Sequence, residues 1–173
     1  VKIAMVDPKV VELSVYNGIP HLMCPVVSDH KQAAILLQKM VNEMEKRYKL
    51  LLSNNCNDIS SYNLKGGKLP RIIFVIDEFA DLTLMVDSGD LDESIISDLA
   101  RLLQKGRSAG IHCIFSLQTA TATLIPTKIR NNIPLTIGVG CRDGNQSKTI
   151  TGDSTDLALL RDRPSGMCMV FGI

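Results

Sequence analysis

Two adjacent carboxylates directly follow a run of five apolar residues, and together they could do chemistry. The run 72–76 ends at Asp77 and Glu78. Because a buried strand cannot hold charge in its middle, the two acids mark its carboxyl end, the edge where open parallel sheets bind ligands. One carboxylate there can hold Mg²⁺, usually through water, and a second can orient and deprotonate a water molecule. The pair is therefore a candidate site for metal-assisted hydrolysis.

The order of apolar strand, Asp and Glu is also the Walker B pattern, in which the Asp bridges Mg²⁺ to nucleotide phosphates. In that interpretation Asp77 is the magnesium-associated acid and Glu78 is the catalytic base. The simpler alternative is a strand that meets solvent at an acidic turn, because acidic strand ends are common. Asp81 lies one helical turn beyond Asp77, and its position favours a helix start or a surface residue over a metal ligand.

Two further polar residues flank the next apolar run, 114–117. Gln118 ends that run, and its neutral amide could hydrogen-bond a γ-phosphate or the attacking water without adding charge. Arg107 precedes the run, and its guanidinium could reach the nucleotide of a neighbouring subunit as an arginine finger. Each has a plainer alternative, Gln118 as a polar strand end and Arg107 as a cation that offsets a helix dipole. Because Asp77, Glu78 and Gln118 follow two strands that are neighbours in sequence, their combination favours a common catalytic site over separate polar strand ends.

These residues need a scaffold of alternating strands and helices. Five short apolar runs are mostly continuous rather than alternating, which is typical of a parallel sheet covered on both faces. The predicted strands are 2–6, 72–76, 112–117, 135–139 and 167–171. The predicted helices are 29–52, with Ser28 as its N-cap, 91–108, 126–131 and 146–151. The pattern predicts a single α/β domain over residues 1–173.

Composition supports one globular domain and excludes several classes of protein. The chain has 173 residues, of which 45% are hydrophobic, and its net charge of +1 gives no general signature of nucleic-acid binding. The chain has few aromatic residues, with four Phe, three Tyr and no Trp, so we do not expect a base-stacking surface for single-stranded nucleic acid. Five cysteines without a C-x-x-C pair indicate reduced thiols and a cytoplasmic location. No signal peptide or membrane-spanning run is visible, so we expect no direct membrane contact by these residues.

Longer stretches of the sequence resemble a known family. DPKVVELSVYNGIPHL at 7–22 closely resembles a signature of the FtsK/SpoIIIE DNA translocases, and so does NEMEKRYKL at 42–50. DEFADL at 77–82 is similar to the Walker B segment of that family. Further similar segments follow in order at 107–112, 132–134 and 147–150. Because the resemblance spans nearly the whole chain, it is far more specific than the Walker B pattern alone.

The resemblance implies a RecA-like α/β motor core, with a mostly parallel sheet flanked by helices. Such motors usually form a hexameric ring around double-stranded DNA, and they hydrolyse ATP with Mg²⁺ between subunits to drive the DNA through the pore. Carried over by position, Asp77 is the Mg²⁺-associated acid that contacts the cofactor, Glu78 the catalytic base and Gln118 the sensor. Arg107 is the candidate for the arginine that acts in trans. The expected location is cytoplasmic, with any membrane anchor in another part of a longer protein.

Departures from the family pattern set limits on this interpretation. No G-x-x-x-x-G-K-[ST] occurs, so the expected core lacks the P-loop strand and helix. The chain also opens and closes on strand-like runs, so we expect a fragment of a longer protein that is inactive on its own. Residues 119–121 replace a common Arg-Pro-Ser, and the acidic loop 86–93 is longer than usual. These departures favour a divergent member from a conjugative or mobile element over a chromosome-segregating translocase.

Two alternatives stay open from the sequence. One is a type VII secretion-like ATPase, which would move protein rather than DNA. The other is an assembly or regulatory module that has no P-loop and does not catalyse. A basic pore loop in the parent protein would favour DNA transport, and an intact P-loop upstream would exclude the regulatory module.

Overall fold

The protein is described by a computed structural model that covers residues 1–118, 124–141, 143–151, 157, 160 and 167–172. The chain falls into two compact units, Val1–Leu117 and Gln118–Ile173. The first unit contains three strands and four α-helices, and the described part of the second contains two strands and two helices.

A parallel sheet forms the centre of the first unit. Its strands are β1 (Lys2–Val6), β2 (Ile72–Ile76) and β3 (Ile111–Phe115), in the order β1-β2-β3. The side chains of the central strand β2 are buried or half-buried along its whole length, as expected for a continuous apolar run between two neighbours. Strands β1 and β2 have the predicted bounds, and β3 begins one residue before and ends two residues before the predicted run 112–117.

Four helices complete the first unit. They are α1 (His30–Ser53), α2 (Ile59–Leu64), α3 (Phe79–Asp87) and α4 (Ser94–Ala109). The long helices α1 and α4, which were predicted, pack against each other, whereas α2 and α3 were not predicted. Within the part of the chain that the structure describes, no helix has both the length and the apolarity needed to cross a membrane.

The start of α1 differs from the prediction by one residue. Asp29 is the N-cap instead of Ser28, and its carboxylate accepts a hydrogen bond of 2.9 Å from the backbone N–H of Gln32. Both residue types are good caps, but the helix begins at His30, so Asp29 occupies the capping position. The face of α1 that points to the core carries the buried residues Ala33, Leu36, Leu37, Met40, Val41, Met44, Arg47 and Leu51.

One member of that buried face is charged. Arg47 is 3% exposed, and its Nε donates a hydrogen bond of 2.8 Å to the Glu43 carboxylate one turn earlier. Its Nη1 donates at 2.9 Å to the carbonyl oxygens of both Pro70 and Ala109. The guanidinium therefore joins α1 to the chain just before β2 and to the end of α4. Without it, the Glu43 carboxylate and the two carbonyl oxygens would each lose a hydrogen-bond donor.

Replacing Arg47 by methionine is expected to lower the free energy of unfolding by roughly 3 kcal/mol, because two carbonyl oxygens and a carboxylate lose their donor. Arg101→Met is the matched control. Arg101 also pairs with a glutamate, Glu45, at 2.8 Å, but these side chains are 46% and 37% exposed. That exposed pair should contribute less than about 1 kcal/mol. Urea denaturation of the two variants measures the difference, and equal shifts would contradict a structural role for Arg47.

The described part of the second unit contains an antiparallel pair of strands. Its elements are α5 (Thr127–Arg130), β4 (Leu135–Val139), α6 (Gly144–Thr151) and β5 (Cys168–Gly172). The register pairs Leu135 with Gly172 and Val139 with Cys168. A small core of Cys141, Leu157 and Leu160 packs against Ile150, Met169 and Phe171.

The direction of β4 and β5 corrects the expectation of a parallel sheet for these two strands. The apolar residues Leu135, Ile137 and Val139 lie on the exposed side of β4 and are 53%, 63% and 63% exposed, whereas Gly138 is buried. Strands with one covered and one exposed face are typical of antiparallel sheets. The residues of β4 are mostly apolar, so the sequence shows no clear alternation of polar and apolar positions from which this could be predicted. β4 has the predicted bounds, and β5 lies one residue later than predicted.

Candidate functional site

Ser116 joins the ends of β2 and β3 at the carboxyl edge of the parallel sheet. Ile76 pairs with Phe115, so Asp77 and Ser116 leave the two strands side by side. The Ser116 hydroxyl donates a hydrogen bond to the Asp77 carboxylate and accepts one of 3.3 Å from the backbone N–H of Glu78. The predicted strand 112–117 ran through Ser116, so no site role could be predicted for this residue. The structure thus keeps the predicted acidic pair together and adds a hydroxyl to it.

Glu78 has an uncommon backbone conformation where β2 turns into α3. Its φ of 47° and ψ of 63° lie in the left-handed region, which residues other than glycine rarely adopt. The backbone N–H of Phe79 donates to the Ser116 carbonyl at 3.0 Å and holds the turn. Such conformations cost about 1–3 kcal/mol and cluster at active sites. The side chain of Glu78 is only 7% exposed, so the turn presents a sheltered carboxylate.

The loop after β1 brings a cation to the acidic pair. Lys9 Nζ lies 3.1 Å from Glu78 Oε2. This hydrogen bond raises the pKa of Lys9, and the charges of Glu78, Asp81 and Asp77 raise it further, while desolvation opposes the shift. Lys9 belongs to the stretch 7–22 that carries the family resemblance, but no role was predicted for it. The two partners are 69 positions apart, so local sequence patterns could not reveal their contact.

Asp7 fixes the path of this loop. It is 1% exposed, and its carboxylate accepts hydrogen bonds from three backbone N–H groups. The donors are Lys9 at 3.1 Å, Glu12 at 3.2 Å and Leu13 at 2.9 Å. Val10, between them, has a φ of 55°, so the loop is tightly turned. A buried carboxylate that is saturated by backbone donors is a strong anchor, and it sets where the Lys9 side chain begins.

The oxygen donors at this edge suit one way of holding magnesium. Mg²⁺ keeps several waters and usually binds one or two carboxylates together with substrate phosphates. Asp77 provides one carboxylate, with the Ser116 hydroxyl beside it. Among the described residues, no group of three or more His, Cys, Asp or Glu side chains could hold a metal ion. The donors therefore fit a water-mediated ion completed by phosphates, and they do not fit a cage made of protein alone.

Asp81 lies in the first turn of α3, where its charge offsets the helix dipole. Its backbone N–H donates to the Glu78 carbonyl at 3.0 Å, and the residue is half-buried. This position agrees with the predicted role at a helix start. Asp81 therefore differs from Asp77, whose carboxylate is bound by the hydroxyl of the neighbouring strand end.

The other two predicted site residues, Arg107 and Gln118, lie at the ends of other elements. Arg107 is exposed in the last turn of α4, which leads into the amino end of β3. It therefore lies at the opposite edge of the parallel sheet from Asp77 and Glu78. Gln118 follows the end of β3 by three residues, is exposed and begins the second unit. The predicted departure at residues 119–121 lies outside the described residues.

Comparison with known sequences gives long matches. The sequence model of the FtsK/SpoIIIE family matches residues 1–121. Over 161 residues the chain is 44% identical to DNA translocase FtsK of Halalkalibacterium halodurans and 44% identical to DNA translocase SpoIIIE of Bacillus subtilis. Each alignment covers 87% of this chain and 20% of the relative, so the chain spans about one fifth of the length of these relatives.

Comparison with solved structures supports the same architecture. The conjugation coupling protein TcpA of pCW3, in its monomer form with ATPγS, superposes with a TM-score of 0.74 at 28% identity, over 88% of this chain and 44% of TcpA. ATPases 2 and 3 of EssC from Geobacillus thermodenitrificans superpose with a TM-score of 0.76 at 21% identity, over 99% of this chain and 31% of that protein. At 21% identity the likeness shows the fold alone. Both neighbours are RecA-like P-loop ATPases, so the predicted RecA-like α/β core is confirmed.

Proposed function

This chain belongs to the FtsK/SpoIIIE family, and we propose that it is part of the motor domain of an ATP-driven double-stranded DNA translocase. The observation that carries the proposal is the acidic pair Asp77–Glu78, bound by Ser116 at the carboxyl edge of a parallel sheet. Ligands of open α/β sheets bind at that edge. Because the relatives named DNA translocases align over 161 residues, we also propose that residues 1–173 belong to one motor domain. The proposed activity would serve chromosome segregation or conjugative DNA transfer.

The proposed cofactors are ATP and Mg²⁺, which would supply the phosphoryl group and the positive charge that neutralises it. Asp77 would hold a water ligand of the ion, with its carboxylate oriented by the Ser116 hydroxyl. Glu78 would accept a proton from the attacking water, and Gln118 would hydrogen-bond that water or the γ-phosphate as a sensor. The sequence contains no G-x-x-x-x-G-K-[ST], so these residues provide the hydrolytic side of the site and the phosphate cradle would come from elsewhere in the protein.

The proposed partners are double-stranded DNA and further copies of the same protein in a hexameric ring. Arg107 supports an assembly, because it is exposed at the opposite edge of the sheet from the acidic pair of its own subunit. With a net charge of +1, attraction to DNA would come from local charge placement in the ring rather than from composition. We propose a cytoplasmic location for these residues.

The proposal is tested by measuring ATP turnover and duplex movement with the whole protein that carries this sequence. We expect double-stranded DNA to raise ATP turnover severalfold and single-stranded DNA to raise it much less. In the presence of ATP and Mg²⁺, the protein should also displace a third strand from a triplex, as a translocating motor does. A nonhydrolysable ATP analogue is the control, and it should abolish the displacement.

Other outcomes would favour the alternatives. Turnover that responds to a secretion-signal peptide and not to duplex DNA would favour a type VII secretion-like ATPase. A well-folded whole protein without any ATP turnover, with or without duplex DNA, would favour an assembly or regulatory module. Either result would overturn the proposed DNA translocase.

A further inference from the structure

The loop after β1 makes a contact with the acidic pair that the proposed function does not yet use. We propose that Lys9 is a positioning residue that holds the Glu78 carboxylate for proton transfer, and that the buried Asp7 holds Lys9 in place. The inference rests on the proposed hydrolysis at Glu78. It assigns a role to the loop after β1, where no site residue was predicted.

The first support is the distance between the two side chains. Lys9 Nζ donates to Glu78 Oε2 at 3.1 Å, and this carboxylate is 7% exposed while Lys9 is 40% exposed. The ammonium therefore approaches the carboxylate from the solvent side. The charges of two other carboxylates, Asp77 and Asp81, also raise the pKa of Lys9, but its hydrogen-bond partner is Glu78.

The second support is that the base of the Lys9 side chain is fixed. A free lysine has many rotamers, and holding one of them in place costs entropy. Here the Lys9 backbone N–H donates to Asp7 at 3.1 Å, and Asp7 also binds the N–H groups of Glu12 and Leu13. Asp7 is 1% exposed at the end of β1, next to β2. The sheet thus sets the position of the loop, and the loop sets the position of Lys9.

The chemistry explains why such a contact would matter. A general base must come within about 2.6–3.2 Å of the proton that it accepts. A misplacement of about 1 Å can reduce a rate by about 10²-fold. The left-handed backbone of Glu78 fixes where its side chain starts, and the Lys9 hydrogen bond to Oε2 restricts where the side chain ends. Both restrict the orientation of the Glu78 carboxylate.

The first measurement is steady-state ATP hydrolysis by the whole protein with duplex DNA. Lys9→Met should lower kcat by about 10- to 100-fold and leave KM within about twofold, because it removes orientation and not nucleotide contacts. Lys9→Arg keeps the charge and the donor, so it should recover most of the lost kcat. Lys2→Met is the matched control, because Lys2 is an exposed lysine at the other end of β1, and it should keep wild-type turnover.

The second measurement does not depend on catalysis. Amine acylation of the whole protein, read by mass spectrometry, reports the free-amine fraction of each lysine. Since the Glu78 carboxylate raises the pKa of Lys9, Glu78→Gln should increase the acylation rate of Lys9. We expect at least about a twofold increase, because one unit of pKa changes the free-amine fraction tenfold. The acylation rate of Lys2 should not change.

The outcomes separate this inference from the proposed function. If Glu78→Gln abolishes turnover but Lys9→Met keeps it, the proposed function stands and the positioning role is wrong. If Lys9→Arg is as impaired as Lys9→Met, or if the Lys9 acylation rate ignores Glu78, the positioning role is also wrong. If Glu78→Gln keeps wild-type turnover, the proposed catalytic base fails, and the role of Lys9 fails with it.

Discussion

Replacing Glu78 by glutamine is expected to reduce ATP turnover of the whole protein by about 10²–10⁴-fold, the usual contribution of a general base. The amide keeps the size of the side chain but cannot accept the proton of the attacking water. Nucleotide binding should survive, because the change leaves the Asp77 carboxylate and its Ser116 partner in place. The measurement is single-turnover hydrolysis together with the dissociation constant for ATP with Mg²⁺.

Asp81→Asn is the matched control for that experiment. Asp81 is an acid three residues along, but it lies in the first turn of α3 and its backbone N–H bonds to Glu78. The substitution should remove only the interaction of this charge with the helix dipole, which lowers the free energy of unfolding by about 0.3–1 kcal/mol, and it should leave turnover near wild type. Turnover of Glu78→Gln within a factor of about two of wild type, far from the expected loss, would show that Glu78 is not the base.

The parallel sheet and the acidic pair could be predicted because the physics behind them is local. A run of five apolar residues in β2 needs burial on both sides, and charge cannot follow until the strand ends. That reasoning gave the bounds of β1 and β2 and the position of Asp77 and Glu78. Periodicity likewise found helix α1, although the cap was assigned to Ser28, one residue too early.

The partners of the acidic pair could not be predicted because they come from distant parts of the chain. Ser116 reaches Asp77 across 39 positions and Lys9 reaches Glu78 across 69, through the registers of β1 with β2 and of β2 with β3. The register of a strand depends on the packing of the whole sheet and not only on the sequence next to each residue. The antiparallel direction of β5 escaped prediction for the same reason, because an apolar run has no direction.

Arg107 requires an argument about assembly rather than about one subunit. It ends α4 just before β3 begins, whereas Asp77 and Glu78 follow the end of β2, which is parallel to β3. The five residues of β3 span about 16 Å at roughly 3.3 Å per residue, so the guanidinium and the acidic pair lie at opposite edges of the sheet. If Arg107 acts on phosphates, we infer that it acts on those bound by a neighbouring subunit.

Arg107→Ala is therefore expected to lower turnover of the assembled protein by about 10³–10⁵-fold, the range for an arginine finger, with nucleotide binding intact. Lys105→Ala removes another exposed cation from the same helix and should have little effect.

Mixing Arg107→Ala with Glu78→Gln provides the sharper test. Neither variant turns over alone, but a mixed ring contains interfaces in which one subunit supplies Arg107 and its neighbour supplies Glu78, so some activity should return. No recovery at any mixing ratio, with mixed rings verified by native mass spectrometry, would leave Arg107 only its role at the end of α4, where a cation offsets the helix dipole.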